Sequence, residues 1–308
     1  MAPPGSDVLR RVLVLLGPTA CGKTALALQL AEHCSLEVVS ADSRTVYRWM
    51  DVGTAKPTPV ERARVPHHLL DVVDPDEDYS LAMYQQQALA AISRIAARGP
   101  MPLLVGGAGL YIRAVCDGLR LPSVAPDPFF RARMEARAAA AGWPALQAEL
   151  ARVDPASAAQ IDPRNVRRVI RALEVQHASG VPFSAWQRRS PPPFTPVFVG
   201  LEVDRPELNG RIDARIDAWL AAGFMDEVQR LLARGYGPSL PSMSGIGYRE
   251  LAAVARGELT LDQARSLIKH ATRQYARRQM TWFRRDERIR WLRQPRPEEV
   301  LELVSDGP

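Results

Sequence analysis

Short apolar runs alternate with helical segments along the first third of the chain. The runs Arg11–Leu16, Glu37–Ser40 and Pro102–Gly106 are rich in leucine and β-branched residues and predict buried strands. The segments Thr24–His33 and Leu81–Ala97 between them are rich in alanine and leucine and predict helices. Strands that alternate with helices indicate an α/β fold, a parallel sheet with helices on both faces. In such sheets the functional residues collect at the carboxyl ends of the strands.

A segment of different character lies between two proline-rich stretches, Leu121–Pro128 and Ser190–Pro196. It is rich in alanine and arginine, and four apolar residues form a stripe at helical spacing: Val166, Val169, Ile170 and Leu173. We therefore expect an inserted helical subdomain of residues 122–195 in a core formed by residues 1–121 and 196–308. The pattern downstream predicts a strand, three helices and a last short strand, over Val197–Val203, Leu208–Ala221, Met225–Ala233, Asp262–Arg284 and Ile289–Leu292.

The composition indicates the cellular environment of the protein and the kind of partner it binds. The chain of 308 residues has a net charge of +6 and a pI near 9.5, which favours a polyanionic partner. Its three cysteines form no C-x-x-C pair, so we expect a reduced, cytoplasmic chain without a disulfide framework or a zinc site. The first apolar run ends at Gly17 and is too short to span a bilayer, so no membrane role is predicted. We expect the protein to act as a monomer.

A phosphate-binding loop joins the first predicted strand to the first helix and matches the pattern G-x-x-x-x-G-K-[ST]. Its residues are Gly17, Pro18, Thr19, Ala20, Cys21, Gly22, Lys23 and Thr24. Inward-facing N–H groups and the helix N-terminus favour an anion, Lys23 adds a positive charge, and the Thr24 hydroxyl can ligate Mg²⁺. The loop therefore predicts a bound diphosphate, but the pattern by itself does not specify a nucleoside.

The acidic residues near this loop indicate which reaction the bound diphosphate takes part in. Many proteins with such a loop carry an aspartate at the end of an apolar strand, where it completes a Mg²⁺ site. The third predicted strand here ends instead in Gly106, Gly107 and Ala108, and the nearest comparable acid is Asp42, just after the second strand. Asp42 can serve as a turn residue, or as a general base that takes a proton from an attacking amine or hydroxyl.

Five blocks in a fixed order give a more specific signal than the loop alone: GPTACGKT, SADSRTVYRWMDVGTAKP, HHLLDVVDP, LLVGGAGLYIRA and TRQYARRQMTWFRRD. Together they resemble the tRNA dimethylallyltransferase (tRNA isopentenyltransferase) family, from the phosphate loop to about Arg285. The resemblance implies a P-loop NTPase-like core that transfers a dimethylallyl group from dimethylallyl diphosphate to N6 of an adenine in tRNA. That adenine would be the one at position 37, directly 3′ of the anticodon, in tRNAs that read codons starting with U. The product would be N6-isopentenyladenosine.

The resemblance also implies roles for individual residues. Asp42 would be the general base for the N6 amine, while Lys23, Thr24 and Mg²⁺ would stabilise the departing diphosphate. Arg211 and Arg215 match a pair of arginines in the family, and we favour Arg215 as the one that contacts the diphosphate. The alternative for both is an ion pair with a neighbouring aspartate on the helix surface.

Two Arg-rich helices, Arg164–Glu174 and Arg273–Arg285, and two segments that match the family predict where tRNA binds. Aromatic rings and guanidinium planes stack on unpaired bases, cations contact phosphates, and the target adenine must leave the anticodon stack. The predicted contacts with the anticodon stem-loop are Asp42, Ser43, Arg44, Thr45, Ala108, Arg131, Arg167, Arg168, Arg171, Gly247, Tyr248, Arg249, Arg277 and Arg278. Two positions depart from the family pattern, because Ala108 replaces the usual threonine and Trp49 stands where glycine is common.

Three other functions fit part of this pattern. A nucleotide or small-molecule kinase would use the same loop but has no use for the Arg-rich C-terminal helix. An adenylate isopentenyltransferase would share Asp42 and the loop but would not need the insert, and an RNA-binding NTPase module would not depend on Asp42. The adjacent His67 and His68 have no third ligand at useful spacing, so we expect them to pack or to order a loop rather than to bind a metal.

Overall fold

The fold is described from a computed structural model of the chain, over residues 11–186 and 189–305. The strands within these residues are β1 (Arg11–Leu16), β2 (Leu36–Ala41), β3 (His67–His68), β4 (Met101–Gly106), β5 (Thr195–Leu201) and β6 (Arg290–Leu292). They form one parallel sheet in the order β3–β2–β4–β1–β5–β6. Because β1 lies between β4 and β5, the loop that follows β1 emerges at the middle of the carboxyl edge.

The helices fall into three groups along the chain. The first group is α1 (Lys23–His33), α2 (Pro59–Arg64), α3 (Leu81–Arg98) and α4 (Gly109–Cys116). The second group is α5 (Pro128–Ala141), α6 (Trp143–Val153), α7 (Pro155–Gln160) and α8 (Val166–Ser179). The third group is α9 (Arg205–Ala221), α10 (Phe224–Ala233), α11 (Tyr248–Ala255), α12 (Leu261–Phe283) and α13 (Pro297–Ser305).

The side chains of β1 alternate between two apolar layers. Val12 and Val14 pack with residues of α3 and α4, whereas Leu13 and Leu15 pack with α1 and with helices of the third group. All four are fully buried, and burial of each such aliphatic side chain contributes about 1.5–3 kcal/mol. Because both faces of the sheet are covered, β1 is a continuous apolar run rather than an alternating one. The predicted α/β class, with a parallel sheet and helices on both faces, is confirmed.

Residues 117–191 form a compact unit of their own, separate from a unit that contains the rest of the described chain. This smaller unit contains α5 to α8 and has its own core. The apolar stripe of α8, with Val169, Ile170 and Leu173, packs there with Phe130 and Leu150. The stripe that the sequence indicates is therefore the buried face of α8.

The bounds of this unit differ from the expected 122–195. Ser190 N–H donates to Gly118 O at 2.9 Å, and Leu119 pairs with Arg189 in an antiparallel bridge. The chain segments that enter and leave the insert are thus joined at residues 118–119 and 189–190. These positions precede the first proline-rich stretch and lie at the start of the second. Proline content marks a change of composition, but these backbone hydrogen bonds set the actual limits of the unit.

The predicted strands and long helices of the core lie within three residues of their expected bounds. In the insert, the sequence predicts helices without separate bounds for α5, α6 and α7, and α8 extends five residues beyond the predicted Glu174. The pattern did not predict β3, α2, α4, α11 or α13, each of which has nine residues or fewer. His67 and His68 form the edge strand β3, paired with Val38 and Val39 of β2, rather than a loop. Two polar residues carry no strand periodicity, so their pairing depends on the neighbouring strand. No helix in the described ranges is long and apolar enough to cross a membrane.

Candidate active site

The phosphate loop folds back on its own lysine. Lys23 Nζ donates to the carbonyl oxygens of Gly17 at 3.0 Å and Pro18 at 2.8 Å, and it lies 3.7 Å from Cys21 Sγ. Gly17 (φ 149°) and Gly22 (φ 103°) adopt backbone conformations that L side chains rarely adopt. A Cβ at Gly17 would also meet Cys21 Sγ at 2.9 Å. The path of the loop therefore requires glycine at both positions.

Helix α1 begins at this loop without a side chain to cap it. Among the described residues no side chain bonds to the helix start at Gly22, and the first turn has no acidic residue. Helices α3 and α12 begin instead at the capping side chains of Ser80 and Thr260. Thr24 is exposed, and its hydroxyl has no hydrogen-bond partner in the described ranges. Free N–H groups at the positive end of a helix make an anion-binding site.

The two arginines of α9 have different surroundings. Arg211 Nη2 donates to Glu207 Oε1 at 2.7 Å, one turn earlier on the same helix surface. Arg215 is half-buried and has no hydrogen-bond or ion-pair partner within residues 11–186 and 189–305. Burial lowers the pKa of the Arg215 guanidinium, and Cys21 of the phosphate loop lies within its electrostatic reach. Arg215 is thus a cation next to the loop that is free to bind an anion.

The aspartates of α9 do not pair with either of these arginines. Asp213 accepts hydrogen bonds from Arg273 on α12. Asp217 accepts from Arg265 at 2.7 Å and from Lys269 at 2.8 Å, also on α12, and both bonds lower the pKa of this carboxyl to about 2. These ion pairs join α9 to α12. The expected alternative, an ion pair between Arg215 and a neighbouring aspartate, is therefore not formed.

Asp42 lies at the carboxyl end of β2, at the edge of the sheet that also carries the phosphate loop. Its Oδ1 accepts a hydrogen bond from Arg44 N–H at 2.8 Å, which is an Asx turn. Asp42 therefore acts as a turn residue through Oδ1, but its Oδ2 accepts no hydrogen bond from any described residue. Ser43 is half-buried, and the buried Thr45 has its Oγ1 3.0 Å from Ser40 Oγ. Asp42 thus keeps one carboxylate oxygen available for a further partner.

The charge of this carboxylate acts on three tyrosines, Tyr84, Tyr111 and Tyr275. The rings of Tyr84 and Tyr111 stack with centroids 4.0 Å apart. Burial raises the pKa of Tyr275 to about 12, and the negative charge of Asp42 acts in the same direction. Burial also raises the pKa of Tyr111, and Asp42 contributes there too. These phenols therefore stay neutral at physiological pH and lie within electrostatic reach of the carboxylate.

Two side chains differ from the usual family residues. Ala108 is half-buried, and its N–H donates to Ala41 O at 3.2 Å, so the turn after β4 lies against the end of β2. Its methyl group cannot replace the hydroxyl of a threonine. Trp49 adopts a left-handed conformation (φ 61°), which explains why glycine suits this position. The guanidinium of Arg234 lies 4.6 Å from the centre of its ring.

Arg44 ties the turn after β2 to the segment before α11. Its Nη1 donates to Pro241 O at 2.7 Å and Ser242 O at 3.1 Å, and its Nη2 donates to Ser244 Oγ at 3.2 Å. These bonds hold together two segments that the sequence predicts to contact tRNA. The guanidinium is therefore used mainly within the protein.

The predicted contacts that follow in this segment are largely internal as well. Tyr248 is 1% exposed, and its hydroxyl donates to Glu227 Oε1 at 2.6 Å. Its phenol therefore belongs to the core and not to a surface that RNA could reach. Gly247 N–H donates to Glu250 Oε2 at 2.7 Å, and Arg249 donates to Glu250 Oε1 at 2.6 Å. Gly247 is buried as well, whereas the side chain of Arg249 is 67% exposed and keeps a surface position.

The four arginines of the inserted unit that are predicted to contact tRNA separate into two pairs. Arg131 donates two hydrogen bonds to Glu174, at 2.8 and 2.9 Å, and Arg171 donates to the same carboxylate at 2.5 Å. Glu174 is 1% exposed, so these two guanidinium groups neutralise a buried charge. Arg167 and Arg168 are exposed and have no ion-pair partner in the described part of the chain. Of these two pairs, the second is therefore the one that is available to contact phosphates.

The C-terminal half of α12 presents two further free cations. Arg277 and Arg278 are exposed and make no ion pair with any described residue. Trp282, one turn later, is 40% exposed, with the guanidinium of Arg113 5.9 Å from its ring centre. A Cβ at Gly109 would lie 2.3 Å from this indole, so glycine is needed for the close packing. Exposed arginines beside an exposed aromatic ring are suited to single-stranded RNA.

Within the described ranges, no cluster of three or more histidine, cysteine, aspartate or glutamate residues could hold a metal ion. His67 Nδ1 lies 2.7 Å from Val65 O, and His68 Nε2 lies 2.6 Å from Glu37 Oε2. Both histidines therefore bond within the sheet edge. Thr24 stays the predicted ligand of Mg²⁺.

An anion-binding loop at the end of β1, a half-buried arginine without a partner in the described ranges and a carboxylate at the end of β2 are the parts that a transferase acting on a phosphorylated donor needs, here on a P-loop-like α/β core. The family described as IPP transferase matches residues 45–286, and the family described as Isopentenyl transferase matches residues 10–71. The chain belongs to the IPP transferase family of prenyl-transferring enzymes.

Similar proteins agree over most of the chain. The tRNA dimethylallyltransferase of Roseiflexus castenholzii is 57% identical over 274 residues, which are 89% of this chain and 90% of that protein. A tRNA isopentenylpyrophosphate transferase of Bacillus halodurans, known as a crystal structure, is 38% identical with a TM-score of 0.70, covering 96% of this chain and 95% of that one. A eukaryotic dimethylallyltransferase acting on tRNA is 25% identical with a TM-score of 0.81, covering 97% and 80%.

The candidate residues predicted from the sequence do not include three that organise the structure, Glu174, Glu227 and Gln279. Glu174 and Glu227 each hold several partners in a buried position, and Gln279 on α12 bonds to the phosphate loop. For Glu174, the arginine three residues earlier on the same helix was an available signal. For Gln279 the partners lie at least 172 residues away, so no local pattern could indicate them.

Proposed function

We propose that this protein transfers the dimethylallyl group of dimethylallyl diphosphate to N6 of the adenine at position 37 of tRNA, directly 3′ of the anticodon. The acceptors would be tRNAs that read codons starting with U, and the product N6-isopentenyladenosine. The relatives named tRNA dimethylallyltransferase support this class of reaction. The observation that carries the proposal is that the phosphate loop follows β1 and Asp42 follows β2 at the same carboxyl edge of the sheet. Only β4 lies between these two strands.

The geometry supports a direct displacement at carbon. The N6 lone pair forms a bond to C1 of the dimethylallyl group, the C1–O bond breaks, and the diphosphate leaves with the electron pair. The free Oδ2 of Asp42 accepts the proton that N6 loses. Lys23, Arg215 and the free N–H groups of α1 stabilise the negative charge of the leaving diphosphate.

Mg²⁺ fits this site as a bound ion. The exposed Thr24 hydroxyl, which has no protein partner among the described residues, and the diphosphate oxygens would hold it. When bound, Mg²⁺ neutralises part of the charge that develops on the leaving group.

The acceptor would be the anticodon stem-loop. Phosphates would be contacted by the exposed arginines that make no ion pair in the described chain, Arg167, Arg168, Arg277 and Arg278. The adenine would leave its stack to reach Asp42, and the rings of Tyr111 and Tyr275 lie close to that carboxylate. We further propose that the protein acts as a cytoplasmic monomer.

One assay tests the reaction and separates it from the alternatives. Purified protein is incubated with Mg²⁺ and labelled dimethylallyl diphosphate, with either bulk tRNA or AMP as acceptor, and without nucleoside triphosphates. We expect label in tRNA alone. Label in AMP would indicate an adenylate isopentenyltransferase, and product that forms only with ATP, with release of ADP, would indicate a site that uses nucleotides. Either result contradicts the proposal.

A further inference from the structure

Gln279 bridges the two loops that form the carboxyl edge of the site. The residue lies on α12 and is 6% exposed. Its Oε1 accepts a hydrogen bond from Thr19 N–H of the phosphate loop at 2.9 Å, and its Nε2 donates to Gly107 O after β4, also at 2.9 Å. The partners fix the orientation of the amide, because a backbone N–H needs the oxygen and a carbonyl needs the nitrogen.

The packing around this bridge leaves no free space. A Cβ at Gly107 would lie 2.3 Å from Gln279 Nε2 and 3.4 Å from Gly17 O. The helix, the turn after β4 and the phosphate loop can therefore meet only because residue 107 is glycine. The bond to Gly107 is buried, so removal of the amide would leave that carbonyl without a partner.

The same amide is close to the acceptor side of the site. Tyr275, one turn earlier on α12, lies beside Gln279 and within electrostatic reach of Asp42. Ala108, next to Gly107, bonds through its N–H to the end of the strand that precedes Asp42. Gln279 thus connects the loop that would hold the diphosphate to the segments that surround the general base.

We propose that Gln279 is a positioning residue that sets the distance between the diphosphate and the attacking amine. This inference rests on the proposed function, because it concerns a diphosphate in the loop and an adenine at Asp42. Gln279 acts through the backbones of Thr19 and Gly107. A displacement of about 1 Å at a reacting centre can lower the rate about 10²-fold. The affinity for tRNA, by contrast, would depend on exposed arginines that Gln279 does not contact.

The variant Gln279→Met removes both hydrogen bonds and keeps a side chain of similar length. Its matched control is Gln274→Met on the same helix, because Gln274 is exposed and lies 2.7 Å from His270 Nε2, in a purely local contact. With both substrates saturating, we expect the single-turnover rate of Gln279→Met to fall about 10²-fold and that of the control to change less than about twofold. The dissociation constant for tRNA should not change in either variant.

A second variant separates positioning from packing. Gln279→Glu can still accept from Thr19 N–H, but it can donate to Gly107 O only when its carboxyl is protonated, and burial favours that form. Its rate relative to wild type should therefore rise as the pH is lowered. A loss that arises from packing alone would give a ratio that does not depend on pH.

Amide hydrogen exchange tests the bridge without the reaction. The Thr19 N–H should exchange on the order of tenfold faster in Gln279→Met than in wild type or the Gln274→Met control. The proposal is overturned if this exchange is unchanged, if the variant keeps a rate within about threefold of wild type, or if saturating substrate restores the rate. If wild type transfers nothing to tRNA while the exchange behaves as expected, the proposed function fails and the bridge stands.

Discussion

Replacement of Arg171 by alanine should destabilise the inserted unit and leave the electrostatic attraction to tRNA almost unchanged. The opposite is expected for Arg167, which lies one turn away on the same helix. Arg171 Nη1 donates to Glu174 Oε2 at 2.5 Å and its Nη2 donates to Val124 O at 2.8 Å. Arg167 is exposed and has no ion-pair partner in the described ranges. The same substitution therefore removes an internal contact in one case and a free surface charge in the other.

The size of the effect follows from the contacts of Glu174. This carboxylate is 1% exposed and also accepts hydrogen bonds from Arg131 and from Asp127 N–H, the latter at 2.7 Å. Removal of one partner from a buried ion pair costs about 3–5 kcal/mol when the charge is left alone. Because two other donors remain, we expect a loss of about 2–3 kcal/mol for Arg171→Ala. Arg167→Ala should change the stability by less than about 0.5 kcal/mol.

Hydrogen exchange and salt titration measure the two effects separately in the full-length chain. Exchange of the α5 and α8 amides should be roughly 30- to 140-fold faster in Arg171→Ala, since about 1.4 kcal/mol corresponds to a factor of ten. In Arg167→Ala the logarithmic dependence of tRNA affinity on salt should lose a slope of about 0.7–0.9. The reasoning is refuted if Arg171→Ala lowers the salt slope as much as Arg167→Ala does and leaves exchange unchanged.

Three more outcomes are expected. Asp42→Asn should slow single-turnover transfer about 10²- to 10⁴-fold with unchanged tRNA binding in a filter assay, so near-normal turnover would contradict its role as base. Arg215→Ala should weaken dimethylallyl diphosphate binding in calorimetry at least about tenfold. Arg211→Ala should not, because Arg211 is already paired with Glu207, and equal losses would contradict the assignment of Arg215 to the diphosphate. In urea unfolding, stability should fall as the pH drops below about 4.5, and Glu174→Gln should reduce this dependence.

The sign of that pH dependence follows from the surroundings of Glu174. Burial by itself would raise the pKa of this carboxyl, but hydrogen bonds from Arg131, the Asp127 amide and Arg171 outweigh it and lower the pKa below the ordinary 4.5. A group with a lowered pKa in the folded state stabilises the protein above its unfolded pKa and loses that contribution as the pH falls. A glutamine at this position does not titrate, so a variant with undiminished acid sensitivity would contradict this account.

The features that the sequence predicts well are local ones. The phosphate loop is a contiguous pattern between a strand and a helix, and the main strands and long helices lie close to their predicted bounds. Asp42 also follows from local information, because its position just after β2 places it at the carboxyl edge. The role of Asp42 as base stays a prediction, as do the predicted tRNA contacts of Ser43 and Ala108.

The features that could not be predicted depend on contacts between distant residues. The chain is rich in arginine, and composition does not distinguish a guanidinium that binds a buried carboxylate from one that faces solvent. Arg171 lies three residues before Glu174, a spacing visible in the sequence, but Arg131 lies 43 residues before it. The helical spacing of Ala276, Gln279 and Phe283 places Gln279 on the buried face of α12, unlike the exposed Gln274. Its partner Thr19 lies 260 residues away, so the contact itself could not be predicted.

Helix α9 shows how the fold separates binding cations from structural ones. Arg211 is paired within its own helix, and the aspartates of α9 pair with α12, so none of these described acids is left to neutralise Arg215. Burial of an unpaired guanidinium costs free energy, and the lowered pKa of Arg215 reflects the same cost. An anion that reaches the phosphate loop would remove this cost in addition to forming its own contacts. Binding of a diphosphate should therefore stabilise the fold most strongly around Arg215 and the start of α1.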